Sequence, residues 1–333
     1  MDGPSTATPL DWQGQAPWRA AGLRYYPLGW FLRARFGGRV WKASLDAGLD
    51  CPNRDGTLGR GGCIYCDPMS FSPARRAGSG TVPFSPGLRS ASEQLAAAIA
   101  RLPHGDLPPR VLAYFQPGSN TYAPPERLRA VFEAAIGHPQ VVGLIIGTRP
   151  DCLPDETLAL LAELSERTWL LVELGLQSIH DATLQRINRG HGSAAFFDAV
   201  ARCAQRRLNV GVHVILGLPG ESAAMMFATA AALAALPIHS VKLHNLYAVR
   251  NTPLAEMVAR GAVRLPVFDE YVDWAVGFLE RLSPDCVVDR LSGDAPAEYL
   301  VGPAWCRERS RVRRAIEQEL TRRDTWQGRL CGM

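Results

Sequence analysis

Six short runs of apolar or β-branched residues, separated by amphipathic stretches of helical length, constrain this chain more than any other feature. The runs are residues 40–45, 111–115, 141–146, 170–176, 210–216 and 240–247, and the stretches are 91–101, 125–136, 155–164, 194–206 and 223–235. Strands that alternate with helices read as βα units and lie parallel in one sheet. Runs such as VVGLII and VHVIL are apolar without alternation, as expected when both faces of a sheet are covered. Six such units fit an open doubly wound sheet or an incomplete barrel. The glycine-rich polar segments FQPGSNTYAP, GTRPD, GLQSIHD and GLPGE each follow a strand. In a βα barrel the loops at the C-terminal strand ends build the active site, so these segments converge on one mouth.

Length and composition bound the rest. The 333 residues can bury one large core or two ordinary ones, and 47% hydrophobic with 20% charged residues excludes a disordered chain. No apolar run reaches the roughly 18 residues of a membrane span. The N-terminus lacks a basic-then-apolar signal pattern, so the expected address is the cytoplasm, with no membrane partner. The net charge of +4 admits an anionic partner without demanding one. The expected organisation is a flexible N-terminus over 1–20, a barrel over 21–285, and a C-terminal extension over 286–333 that ends in a basic helix.

Eight cysteines are too few for a disulfide scaffold, and three of them are clustered. Cys51, Cys63 and Cys66 lie in CPNRDGTLGRGGCIYC, directly after the first strand, with one proline and four glycines inside the span. Those glycines let the backbone fold tightly and bring N–H groups to a metal cluster, where hydrogen bonds to sulfur tune its potential. Three thiolates on a cubane iron–sulfur cluster leave one iron open. The competing reading is a structural zinc site, which needs four ligands and would borrow Cys152 or His191. The other five cysteines read as small apolar core residues.

The segment FGGRVWKASLDAGLDCPNRDGTLGRGGCIYC resembles the YhcC-type radical S-adenosylmethionine (SAM) proteins, relatives of the radical domain of the elongator catalytic subunit. The resemblance runs over about residues 25–320, through IGTRPDCLPDETLALLAEL, VELGLQSIHDATLQRINRGH, VILGLPGE, VKLHNLYAV and RLSGDAPAEYL. It implies an α/β fold, a partial (β/α)6 TIM-type barrel of the radical SAM superfamily with N- and C-terminal extensions. It further implies a 4Fe-4S cluster on Cys51, Cys63 and Cys66, and reductive cleavage of SAM to a 5′-deoxyadenosyl radical. The electron comes from a donor such as flavodoxin or ferredoxin. Ser119, Asn120 and Thr121 stand where relatives bind the methionine end of SAM, Gln177 and Arg189 where they hold its ribose and carboxylate, and Ile215 where they grip the adenine. Two positions depart from relatives: an acidic residue at the end of the third strand is Gly147 here, and an aspartate two residues before the isoleucine is His213, which takes that place among the expected SAM contacts.

Alternation places further polar residues inside the barrel. Glu173 on the fourth strand and Lys242 on the sixth are the expected catalytic pair of positions. A buried carboxylate at 173 suits proton transfer or a substrate amine, or else a structural arginine partner; Lys242 suits a carboxylate or phosphate. His244 alternates with Lys242. Arginines cluster at both ends of the chain: Arg19, Arg24, Arg33, Arg35 and Arg39 with interleaved aromatics, and Arg307 to Arg323 in the tail. Arginine with aromatic residues suits phosphate contact and base stacking. The leading expectation is therefore radical modification of tRNA at a wobble-uridine side chain. A radical enzyme for a small metabolite or protein, and a non-catalytic zinc-stabilised barrel, are the alternatives.

Overall fold

The computed structural model describes residues 16–77, 90–103 and 107–332; the expected flexible stretch over 1–15 lies outside them. Seven strands form one sheet in the order β1 (Val40–Leu45), β2 (Arg110–Phe115), β3 (Val141–Thr148), β4 (Trp169–Gln177), β5 (Asn209–Leu216), β6 (Ser240–Asn245) and β8 (Val287–Arg290). Every pairing is parallel. A small antiparallel pair, β7 (Ala248–Val249) and β9 (Leu300–Gly302), stands apart. The expected α/β half-barrel is present and is one strand wider than the six apolar runs indicate. β8 has four residues and falls beyond position 285, inside the segment read as a connection, so the sheet runs past the boundary expected there.

The strands pack helices on one face and enclose a cavity with the other. Leu170, Val172 and Leu174 of β4, and Val210, Val212 and Val214 of β5, join the outer core against helices such as Asp155–Arg167, Ser193–Gln205 and Phe268–Arg281. Residues between them point inward. At the N-terminal ends of the strands the inward residues Leu112, Ile145, Trp169 and Leu171 are apolar. Leu28 and Leu32, one turn apart on helix Leu28–Phe36, pack on them with Trp18 and Tyr26 and plug that end.

The β8 edge of the sheet is covered by segments near both chain termini. Tyr26 accepts a bond from Val288 N (2.7 Å), so the segment before the plug helix pairs with β8. Buried Gln327 bonds the Tyr26 amide (2.9 Å) and the carbonyls of Ser283 and Cys286. Trp18 donates to Pro284 O at 3.0 Å, so residues 17–20, expected to be flexible, form a docked helical turn. Across the open side, Lys42 of β1 pairs with Asp289 of β8. The C-terminal helix Arg309–Arg322 buries Val312, Ile316 and Leu320 in the outer core and leaves its arginines at the surface.

Candidate active site

The loop leaving β1 is fixed before it reaches the cysteines. Asp46 exchanges hydrogen bonds with Gln94, and its carboxylate accepts from Ser72 and Arg75, the latter at 2.6 Å. Gly118 has φ +78°, and a β-carbon there would lie 2.6 Å from Leu49 O. The loop after β2 can therefore rest on the backbone just ahead of Cys51 only because position 118 is glycine. Cys51 O then accepts from Arg54 N, Gly62 N donates to Asn53 O, and Cys66 N donates to Cys63 O at 3.0 Å. Asn53 and Asn188 stitch the loop to the 187–189 segment through Asn53 Nδ2 to Asn188 O (2.6 Å) and Asn188 Nδ2 to Gly62 O (2.7 Å).

This folding brings Cys51, Cys63 and Cys66 to one wall of a cavity of about 660 Å³ at the C-terminal strand ends. Asn53 Nδ2 (3.8 Å) and Arg189 Nη1 (3.7 Å) both donate to Cys63 Sγ. Burial, reinforced by Cys63, pushes the Cys66 thiol up to about 12. A buried thiol of that kind becomes a thiolate ligand when a metal displaces its proton, and donors already aimed at a sulfur suit a sulfur that carries charge. Among the described residues no three Cys, His, Asp or Glu side chains gather closely enough for a single ion. Cys152 is buried and does not line the cavity. The donor set fits a multi-iron cluster spread between three thiolates better than a closed zinc site.

Five of the seven residues expected around SAM line the same cavity: Ser119, Gln177, Arg189, His213 and Ile215. Arg189 Nε is buried without a partner among the described residues, as groups awaiting a ligand are, and Ser119 Oγ has only the weakly bonding Cys152 thiol beside it. Arg189 Nη2 donates to Gly175 O at 2.6 Å, and a β-carbon at Gly175 would lie 2.8 Å from that nitrogen. A bulge between Gly175 and Gln177 gives Gln177 a φ of +75° and turns its amide onto His213 Nδ1 at 2.7 Å. Such a backbone is costly for a side-chain-bearing residue and is characteristic of functional positions. Burial, then Lys242 and Arg290, hold His213 well below its ordinary range, so it is neutral.

Asn120 and Thr121 do not reach the cavity, contrary to expectation. Asn120 Nδ2 donates to Phe115 O and Gly147 O, and Thr121 Oγ1 bonds Thr148 and Cys152 O. Asn120 thus satisfies carbonyls at the ends of β2 and β3, whereas Thr121 ties the end of β3 to the loop that follows it.

Glu173 and Lys242 do face inward, but toward each other. Lys242 Nζ lies 2.9 Å from Glu173 Oε1, Tyr114 Oη donates to the same oxygen at 2.6 Å, and Lys242 also bonds Tyr114. The expected arginine partner of Glu173 is thus a lysine, and the anion expected on Lys242 is supplied from within the chain. Burial pushes Lys242 down to about 8 against the pull of Glu173. Burial alone would raise Glu173; Lys242 and the Tyr114 hydroxyl hold it below the usual carboxylate range.

The wall from β6 to the C-terminal helix carries His244, placed inside by its alternation with Lys242, together with residues that the strand pattern left unplaced. His244, Tyr247, Arg290, Arg307 and Arg309 all line the cavity. His244 lies between His213, which it meets edge-on (5.2 Å between ring centres), and Tyr247, to which it is tilted (4.8 Å). Of the two arginine clusters expected to suit phosphate contact, only part of the tail reaches the mouth. The N-terminal arginines precede β1 and so lie at the plugged end, where Arg24 pairs with Asp324 and Arg19 stacks on Trp326. Arg311 and Arg313 pair with Glu308 and Glu317 and do not line the cavity. Arg54, Arg75 and Arg76, which lie in and after the cysteine loop, take the place expected of the N-terminal cluster. Alternation from Ala113 to Phe115 signals Tyr114; nothing comparable signals Arg290, because four residues show no period.

Known proteins bear on this site. The Radical SAM superfamily model matches residues 56–233, and the Radical_SAM C-terminal domain model matches residues 238–322. The chain is 39% identical to the uncharacterized protein YtqA of Bacillus subtilis, over 94% of each chain. It is 37% identical to protein YhcC of Escherichia coli, over 84% of this chain and 86% of that one. A tRNA uridine(34) acetyltransferase of Methanocaldococcus infernus is 29% identical over 48% of this chain and 30% of its own length. The solved structure of Methanocaldococcus infernus Elp3 superposes with a TM-score of 0.61 at 17% identity, over 86% of this chain and 64% of that chain. The chain therefore belongs to the radical SAM superfamily, whose enzymes work with a 4Fe-4S cluster and S-adenosylmethionine.

Proposed function

We propose that this enzyme modifies tRNA by radical chemistry at the side chain of the wobble uridine. The observation that carries the reading is the charge of the cavity mouth. Arg54, Arg76, Arg290 and Arg307 line it, and among the described residues none has a carboxylate partner. Uncompensated guanidinium groups around a reaction cavity attract polyanions and bind phosphate in two-point fashion. The partial likeness to a relative named for tRNA uridine(34) supports the same substrate.

In this reading Cys51, Cys63 and Cys66 hold the cluster. Ser119, Gln177, Arg189, His213 and Ile215 surround SAM, with Arg189 tying the cofactor end of the cavity to Cys63. Bound there, cluster and SAM supply the electron and the carbon radical that removes a hydrogen atom from the substrate. The protein orients the reacting groups and excludes water. Glu173 and Lys242 sit below them as a proton store, with Tyr114 fixing the carboxylate. A flavodoxin or ferredoxin delivers the electron in the cytoplasm; among the described residues no helix is long and apolar enough to cross a membrane. Mass spectrometry of tRNA nucleosides from wild-type and deletion strains tests the substrate. A modified uridine missing from the deletion strain is expected, and identical nucleoside profiles would overturn the reading.

A further inference from the structure

The cavity has two walls of different origin. The cysteines, Ser119, Gln177 and Arg189 lie within or beside the segment matched by the superfamily model, whereas His244, Tyr247 and Arg290 lie in the C-terminal segment 238–322. Cofactor chemistry belongs to the first wall, which leaves the second for the substrate.

Arg290 is the unusual member of that second wall. β6 and β8 pair Lys242 with Arg290 after a register shift that skips Asp289. The shift lets two successive residues leave the outer core: Asp289 reaches Lys42 across the barrel opening, and Arg290 lines the cavity. Lys242, Lys42 and Arg309 are neutralised by Glu173, Asp289 and Asp294, whereas Arg307 of the same wall, like Arg290, has no carboxylate partner among the described residues. Arg290 has no ion pair among the described residues, and its Nε is buried without a hydrogen-bond partner. Leaving a guanidinium unsatisfied in a cavity is costly unless a ligand completes it. Beside it the His244 ring meets His213 at 61° and Tyr247 at 43°, so this wall presents adjoining aromatic rings tilted to one another. A β-carbon at Gly293 would lie 2.2 Å from His244 Nε2, so only glycine at 293 allows the imidazole its place. Burial, then Arg290, keeps His244 neutral, so the ring surface adds no competing charge.

We propose that Arg290 receives the phosphate of a nucleotide whose ring lies against His244 and Tyr247. A planar fork suits phosphate, and aromatic faces suit any base. The inference rests on the nucleic-acid reading above and deepens it, by assigning the nucleotide to this wall.

Equilibrium dialysis of uridine 5′-monophosphate and of uridine against the cluster-loaded full chain tests it, with SAM saturating so that the adenosine site is filled. Wild type is expected to bind the nucleotide at least tenfold more tightly than the nucleoside. Arg290→Gln should bind both equally, Arg290→Lys should recover part of the preference, and Tyr247→Ala should weaken both ligands alike. Because the Arg290 side chain makes no hydrogen bond among the described residues, Arg290→Gln should unfold at or above the wild-type temperature with wild-type iron content. A preference that survives Arg290→Gln would overturn the inference, as would equal binding of both ligands by wild type or binding of neither at millimolar concentration. A deletion strain with altered tRNA nucleosides alongside any of these results would leave the tRNA reading standing and remove only this one.

Discussion

Glu173 and Lys242 show how one residue's fate depends on its neighbour. Each would be expensive to bury alone, and together with Tyr114 they satisfy one another. Glu173→Ala leaves an uncompensated ammonium at the cavity floor and should destabilise the chain by about 3–5 kcal/mol in denaturant unfolding. Replacing both by apolar residues of similar volume, Glu173→Leu with Lys242→Met, should restore most of that stability while turnover stays lost. A double variant with full turnover would reduce the pair to packing. A second residue carries a pH signature at the plugged end. His239 meets Phe31 and Trp169 edge-on, its Nε2 is buried without a partner among the described residues, and burial, aided by Arg35, pushes it down to about 4. The unfolded chain takes up that proton below about pH 6.5, the native chain only near 4, so this stability is present above 6.5 and is lost as pH falls. The loss amounts to about 1.4 kcal/mol per pH unit within that window. His239→Asn should flatten the acid limb of stability against pH by about one proton; an unchanged slope would contradict it.

At the scale of elements, the strands with long apolar runs were legible because burial on both faces leaves a sequence no alternative. β1 to β6 lie within a few residues of the runs that announced them. β8 was not legible, since four residues flanked by Pro284 and Ser292 show no period, and its strand character comes from pairing with β6 and Tyr26. The same contrast holds in the site. The cysteine loop announced itself by composition, and Glu173 and Lys242 by alternation, but the direction of Asn120 and Thr121 depends on which carbonyls end unpaired, which is a tertiary fact. Gly118 tests the join between elements. Its alanine variant places a β-carbon against Leu49 O in a left-handed backbone and should destabilise by about 1–3 kcal/mol. Since Leu49 and Asp50 lead into Cys51, iron uptake should fall with it. Full iron loading in Gly118→Ala would show that the loop seats without this contact.

For the whole molecule the polarity of the half-barrel organises everything else. One end is plugged by aromatic and apolar side chains, and the other gathers the cysteines, the residues proposed to surround SAM and the arginines that have no carboxylate partner among the described residues. Charge at the two ends should therefore be unequal in effect. Arg54→Gln with Arg307→Gln should weaken tRNA binding and lower the slope of log affinity against log salt by about one per phosphate lost. Arg33→Gln with Arg35→Gln, at the plugged end, should change neither. Equal effects from both pairs would mean that tRNA binding is not directed to the mouth.

The central claim is that Cys51, Cys63 and Cys66 together hold an iron–sulfur cluster in that mouth. Iron analysis with visible absorption of anaerobically reconstituted protein tests it most directly. The wild-type chain should carry about four irons per chain with the broad absorption of a thiolate-bound cluster. Alanine at any one of the three cysteines should abolish that absorption, while alanine at Cys203 should not. One tightly held zinc per chain with no iron uptake, or full iron loading in the Cys63→Ala variant, would contradict it.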